Sequence, residues 1–582
     1  MTSSANTTRF AAQTRRSGLP AATDRRSNPR LSAALVVAAV AAIPAAFYVA
    51  GLGFYLDDHF FLGTMSTSHD RSVPGLFESL EKEDSKAWLR PGMYLGLAIL
   101  FRLFGTNPLP YHLFVAALVP LSAVLLYFVL NRLRAPGFLA VGVPIVFAAA
   151  PHYSTDRFWL ASYPAPASVA LALAGIYALL RACEVRGRRL TVWLVAGGAA
   201  IVLSVLLYEV AVPLLIVVVI LLWYRGRTGF GSTRITALSS SLVLAGVLVY
   251  KGIAATTLTT GSSYQLGYQT SVAHHIGYLV SGSVKVNFGT YGLALPYVVW
   301  WIFAHRPTWS AVAASLLVGA VVLAYLRHNR ELDLRYLRRN GKRIWRLLAV
   351  AGVALIAIGY ASFLVSDEIY FTSAGIDNRV NIVAAIGVAV LALALVLRAI
   401  QWLPPRRQRD GFAVGLALLA VTGTLITSTL ADYWVAASTR QREVVTRLTD
   451  ALPSKLTNAT VVLDGVCPEI GPGVVFAAPY DLAEVLRIRY HDPTIRAPVR
   501  TAVVAADPRG LVISTVLFGR TTPHFYPFRP HLLVYDLPRG STVVLRDAAA
   551  ARRYLTRTPR LSCPLLRSFN WGIRTSRFVP FA

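Results

Sequence analysis

The chain of 582 residues is 55% hydrophobic and only 15% charged, with a mean hydropathy of +0.53. Soluble domains carry about 25% charged residues, and the apolar residues here fall in long blocks, so composition excludes an ordinary soluble protein and points to a polytopic membrane protein. The net charge of +29 does not indicate nucleic acid, because Arg and Lys gather in short clusters between apolar blocks, as the positive-inside bias requires, where they meet membrane lipids.

In chain order, residues 1–30 are rich in Ser, Thr and Arg and are expected to form a disordered cytoplasmic tail. The apolar block at 31–54 is too long for a signal-peptide core and reads as an uncleaved first span. Further spans are read at 111–130, 137–150, 165–182, 190–207, 209–224, 235–255, 309–326, 347–365, 380–402 and 411–430, eleven in all. With the N-terminus inside, the clusters at Arg181–Arg189, Arg327–Arg346 and Arg406–Arg409 fall on the cytoplasmic side. The segments 55–110, 151–164, 256–308, 366–379 and 431–582 are then extracytoplasmic.

Within those segments, SVPGLFESLEKE, PGMYLGLAILFRLFG and the stretch from Ser271 to Pro296 have the spacing of helices that lie in the interface plane. The region 431–582 changes character. ATVVLDG and HLLVYDL read as short buried strands, DLAEVLRIRYH and DAAAARRYL as helices, and together they predict an extracytoplasmic α/β domain. Cys467 and Cys563 lie in it and can pair in an oxidising compartment or remain free thiols. The predicted organisation is a tail at 1–30, a transmembrane domain at 31–430 and the α/β domain at 431–582.

The stretch GFYLDDHFFL, Gly53–Leu62, puts adjacent acids Asp57 and Asp58 at the mouth of the first span, where a carboxylate must stay hydrated or find a partner. Behind it come RPGMYLGLAILFRLFGTNPLPYHLF from Arg90, APHYSTDRFWLASYPAPASVALAL from Ala150, LYEVAVPLLI from Leu207 and DEIYFTSAGIDNRVNIVAAIG from Asp367. This ordered set resembles the GT-C glycosyltransferases, multispan enzymes that take sugars from polyprenyl-phosphate carriers, and within them the members similar to protein O-mannosyltransferases and aminoarabinose transferases. The shared layout is the acid pair Asp57–Asp58, then Arg90–Pro91, Phe104–Gly105 and Pro110–Tyr111–His112, then Asp156 ahead of Trp159. The resemblance runs over residues 30–430. The chain departs from it at Tyr208–Glu209, where many relatives carry Lys-Glu, and the C-terminal domain matches no known pattern.

The resemblance implies a GT-C-like transmembrane fold and transfer of a sugar from a polyprenyl-phosphate donor to an envelope glycan, glycolipid or protein, with inversion. Such chemistry needs a carboxylate base for the acceptor hydroxyl and cations for the departing phosphate. Asp57 and Asp58 are the candidates for the base, with the weight on Asp58, and Asp156 is a second candidate acid. Arg90, His112, Arg157, Glu209, Lys285 and Arg379 are candidates for binding substrate or lipid phosphate. Asp57 and Asp58 are also the candidate ligands of a divalent cation, Mg or Mn, since both ions take oxygen donors. The alternatives are a transporter or flippase of lipid-linked sugar, or a non-catalytic assembly protein. A transporter shows paired halves and midplane charges, and this sequence shows neither.

Overall fold

The computed structural model describes residues 29–227, 231–258, 272–329, 335–365, 371–500, 503–517, 520–558 and 563. The tail read at 1–30 lies almost wholly outside them. Helix α1 (Pro29–Tyr48) leads into three short helices, α2 (Asp57–Thr67), α3 (Val73–Glu83) and α4 (Pro91–Phe104). A bundle follows: α5 (Pro108–Arg132), α6 (Gly137–Ala149), α7 (Pro164–Ala182), α8 (Arg188–Leu207), α9 (Val212–Gly226) and α10 (Gly231–Ile253). After α11 (Val272–Val284) and α12 (Leu295–Ala304), the bundle is completed by α13 (Trp309–His328), α14 (Arg335–Ala361), α15 (Ala384–Ile400) and α16 (Gln408–Ala451).

Among the described residues, nine helices are long and apolar enough to cross a membrane, and they coincide with nine of the eleven expected spans. Their outer faces carry exposed Leu35, Val195, Leu242, Val249, Leu316 and Leu418, which suits lipid and would be a liability in water. The other two expected spans are shorter. The helix α6 has 13 residues and turns by 61° into a 3-10 segment, Pro151–Arg157, while α15 has 17. At 1.5 Å per residue these reach about 20 and 25 Å, short of a hydrocarbon core of about 30 Å. They are short because protein, not lipid, surrounds much of their surface. Every residue from Ala140 to Ala149 is buried, and α15 lies so close to α14 that Cβ atoms added at Gly352, Gly359 or Gly387 would meet the other helix's backbone.

The expected division at residue 431 falls in the middle of α16, which runs unbroken for 44 residues. The reason is a stripe of Trp434, Ala437, Gln441, Val444 and Leu448, all buried at alternating three- and four-residue spacing. Beyond the last span this stripe packs against the C-terminal unit, in one core with Val461, Val475, Phe476 and Leu482.

That unit contains β1 (Ala459–Asp464), the hairpin β2 (Glu469–Ile470) and β3 (Gly473–Val474), α17 (Asp481–Tyr490), the antiparallel meander β4 (Val504–Asp507), β5 (Gly510–Leu517) and β6 (Arg520–Pro527), then β7 (His531–Asp536), β8 (Ser541–Val544) and α18 (Ala548–Arg557). The two strands read from sequence are β1 and β7. They pair in parallel with Ala459 opposite His531, and β8 adds antiparallel to β7. Cys467 and Cys563 form a disulfide, while Cys183 is a free thiol.

Candidate active site

The acids and cations singled out from the sequence gather at one end of the bundle, where hydrogen bonds between the connecting segments hold them. The chain leaves α1 through Gly53 and Tyr55, and both are fixed. His112 Nε2 on α5 donates to the Gly53 carbonyl at 2.7 Å, and the Tyr55 hydroxyl donates to the Trp434 carbonyl at 2.8 Å. Leu56 then takes φ +48°, a conformation unusual for a residue with a side chain. It turns the chain sharply into α2, whose first two residues are the acid pair.

The two neighbours have different environments. Asp58 is 0% exposed. Its Oδ2 accepts the Tyr55 N–H at 3.0 Å and its Oδ1 the Ala161 N–H at 2.7 Å, so it ties the first connecting segment to the second. Burial pushes its carboxyl well above the ordinary carboxylate range, against the pull of the Tyr55 and Ala161 N–H groups and with the charge of Asp57 adding to the rise. Asp57 is half-buried, and its Oδ1 accepts a hydrogen bond from the Tyr480 hydroxyl of α17 at 2.6 Å.

On the next segment, the Trp159 indole donates to the Tyr55 carbonyl at 2.9 Å, and the Arg379 guanidinium lies over the Trp159 ring at 4.8 Å. Asp156 is fully buried, accepts from the Ser162 hydroxyl, and lies within electrostatic reach of Arg379 and Arg157. The Arg157 Nη2 donates to the carbonyls of Ala148 and Ala150 at 2.8 and 3.2 Å, so it closes the C-terminal end of α6. Lys285 is half-buried at the head of a π-helical segment, Lys285–Leu293.

Arg90, just ahead of α4, reaches across to Glu209 in the break between α8 and α9. Nη2 meets Oε1 at 2.5 Å and Nε meets Oε2 at 3.3 Å, with the guanidinium 4.4 Å from the Tyr208 ring centre. Lys251 from α10 donates to the same carboxylate at 3.1 Å. Glu209 thus pairs with two cations, one from the segment before α4 and one from α10. Sequence reading passed over Lys251, although a lysine inside an apolar block is itself a signal. Tyr94 is within electrostatic reach of both Arg90 and Asp57. Its hydroxyl donates to Asp84 at 2.6 Å, and burial, then Asp84, pushes it above its ordinary range, with Arg90 and Asp57 both acting on it. The side chains of Arg90 and Lys251 are 13% and 10% exposed and that of Glu209 is 35% exposed. Glu209→Gln would leave two largely buried cations facing each other. It is expected to cost about 2 kcal/mol, less than the roughly 3–5 kcal/mol of a fully buried broken pair because solvent reaches the carboxylate. The midpoint of thermal unfolding in detergent measures it.

The C-terminal unit closes over this end through α17. Tyr480 packs on Phe60 with ring centres 5.8 Å apart, Phe476 lies beside His59 at 6.4 Å, and Gly63 of α2 sits so close to Glu484 that an added Cβ would run into its carboxylate. Asp481 is fully buried. Its Oδ2 accepts the N–H groups of Ala477 and Ala478 at 2.8 and 2.9 Å, and its Oδ1 has no partner among the described residues. Burial raises its carboxyl from 3.8 to about 8, with the two N–H groups pulling down and Asp57 pushing up. Burial likewise lifts Glu469, on the hairpin that rests against α16, from 4.5 to about 7, and Asp377 from 3.8 to about 6. A carboxyl raised by folding adds stability below its ordinary value and loses it as pH rises through its folded value. Below about pH 6.5 the buried imidazoles of His59 and His152, lowered by burial, pull the other way, so the midpoint of thermal unfolding is expected to fall between about pH 6.5 and about pH 8, and Asp481→Asn to flatten that fall.

Both oxygens of Asp58 accept backbone N–H groups, Asp57 Oδ1 accepts a hydroxyl, and no group of three or more His, Cys, Asp or Glu side chains among the described residues could hold a metal.

No family model matches the chain, and no curated protein is similar to it. Among solved structures it is similar to the crystal structure of ArnT from Cupriavidus metallidurans bound to undecaprenyl phosphate, at 12% identity and a TM-score of 0.33, over 81% of this chain and 85% of that one.

Proposed function

We propose that this multi-pass membrane protein is a GT-C-type glycosyltransferase that moves a sugar from a polyprenyl-phosphate carrier to an envelope acceptor, with Asp57 as the general base. The observations that support the reading are that the half-buried Asp57 carboxylate and Arg90 both act on Tyr94, and that Arg379 lies over Trp159, whose indole is bonded to the Tyr55 carbonyl two residues before Asp57. The sequence favoured Asp58, but a carboxylate whose two oxygens already serve backbone N–H groups is a poor proton acceptor. Asp57 has Oδ2 in hand once Tyr480 holds Oδ1.

In the proposed step Asp57 Oδ2 takes the acceptor hydroxyl proton. The freed oxygen bonds to the anomeric carbon as the bond from that carbon to the phosphate oxygen breaks, and polyprenyl phosphate leaves with the bonding pair. The products are the glycosylated acceptor, polyprenyl phosphate and protonated Asp57, and a single displacement inverts the anomeric centre. Arg90 and Arg379 balance the charge that grows on the phosphate, while the carrier's tail stays in the bilayer. The Cys467–Cys563 disulfide supports an oxidising, extracytoplasmic setting for this end. So does Arg409, which donates to the carbonyls of Arg327 and Asn329 among the basic connections at the other end.

The test is to incubate membranes containing the protein with a panel of labelled polyprenyl-phosphate sugars and follow release of polyprenyl phosphate. Protein-dependent release is expected for one of them. Movement of intact lipid-linked sugar between leaflets without cleavage would replace the transferase with a flippase.

A further inference from the structure

Tyr480 reaches the acid pair from 423 residues away, carried by a unit that the family resemblance does not cover. We infer that the C-terminal unit completes the active site, with Tyr480 as the positioning residue that orients Asp57 for proton transfer; this rests on the reading of Asp57 as the base. Three observations support it. The hydrogen bond to Oδ1 is short, at 2.6 Å, and leaves Oδ2 as the oxygen to meet the acceptor. The tyrosine is held on both sides, by its ring contact with Phe60 below and by Asp481, the next residue, whose carboxyl fastens the turn into α17. The approach of α17 to α2 is tight at Gly63, where a side chain would strike Glu484. The Asp57 charge in turn acts on Asp58, Asp481 and Tyr94. Tyr480 is the group among the described residues seen to donate a hydrogen bond to it, and so to set its direction. A mere cover over the site would leave the base free to turn. A donor fixed in the protein removes that freedom before substrate arrives, the condition for efficient positioned catalysis.

The experiment is a double-mutant cycle on the full-length protein in membranes, using whichever of polyprenyl-phosphate mannose or arabinofuranose the wild type turns over. Tyr480→Phe keeps the ring against Phe60 and removes only the hydroxyl. Its kcat is expected to fall about tenfold with the donor KM unchanged, because orientation of the base matters only in the transition state. In the Asp57→Asn background the same change is expected to cost nothing further, because Tyr480 acts through Asp57. Wild-type kcat in Tyr480→Phe alongside an inactive Asp57→Asn overturns the positioning role and leaves the base assignment standing. An additive loss in the double variant also overturns it. Full activity in Asp57→Asn overturns the base assignment itself.

Discussion

Asp57→Asn is expected to slow sugar transfer about 100- to 10,000-fold, the range typical of removing a general base, while changing the unfolding midpoint little. The asparagine has the same shape, and its carbonyl can still accept from the Tyr480 hydroxyl. What it loses is the ability to take a proton. The half-buried carboxylate makes one hydrogen bond that the substitution can keep, so a stability loss above about 0.5 kcal/mol is not expected. In a deletion strain, the Asn variant should reach the membrane at wild-type level and fail to restore the missing glycan. Restoration in full would remove the base from the proposed mechanism.

Asp58→Ala is expected to do the reverse, acting first on the fold. It strips the acceptors from the N–H groups of Tyr55 and Ala161 in a fully buried place. A buried unsatisfied donor costs about 1–3 kcal/mol, so the pair should cost about 3 kcal/mol. The loss is local in origin but wide in effect, because that carboxylate joins the segment after α1 to the segment before α7. Asp58→Asn keeps one acceptor oxygen and should lose about half as much. Thermal unfolding of the three proteins in detergent, read beside their transfer rates, separates the two acids. The expected pattern is an inactive, stable Asp57→Asn and an unstable Asp58→Ala whose residual folded fraction still turns over. The opposite pattern would return the catalytic role to Asp58.

The remaining candidate residues divide along the same line between chemistry and framework. His112 Nε2 donates to the Gly53 carbonyl, and Arg157 Nη2 caps α6 at the carbonyls of Ala148 and Ala150. In the proposed mechanism Arg90, which is paired with Glu209, and Arg379 are the cations for the phosphate. Residue type alone cannot draw this distinction, since an arginine capping a helix and an arginine awaiting an anion are the same letter in the same kind of loop.

Lipid exposure and local backbone need determined much of this protein from sequence alone. A helix facing hydrocarbon must satisfy its own backbone and be apolar over about 20 residues, so nine spans were legible. The strands Ala459–Asp464 and His531–Asp536 and the helices α17 and α18 were legible for the same reason, because short apolar runs and their turns are local signals. The two expected spans that are short, α6 and α15, are those whose surroundings are largely protein, where bilayer thickness no longer dictates length. Tertiary structure decided the rest. It carried α16 past residue 431 by giving its buried stripe a partner, brought Lys251 to Glu209, and set Tyr480 on Asp57. It also divided the acid pair. Successive residues of a helix point about 100° apart, so of two identical neighbours one was turned into the protein and the other left half-buried against Tyr480. Which one depended on contacts made from 103 and 423 residues away.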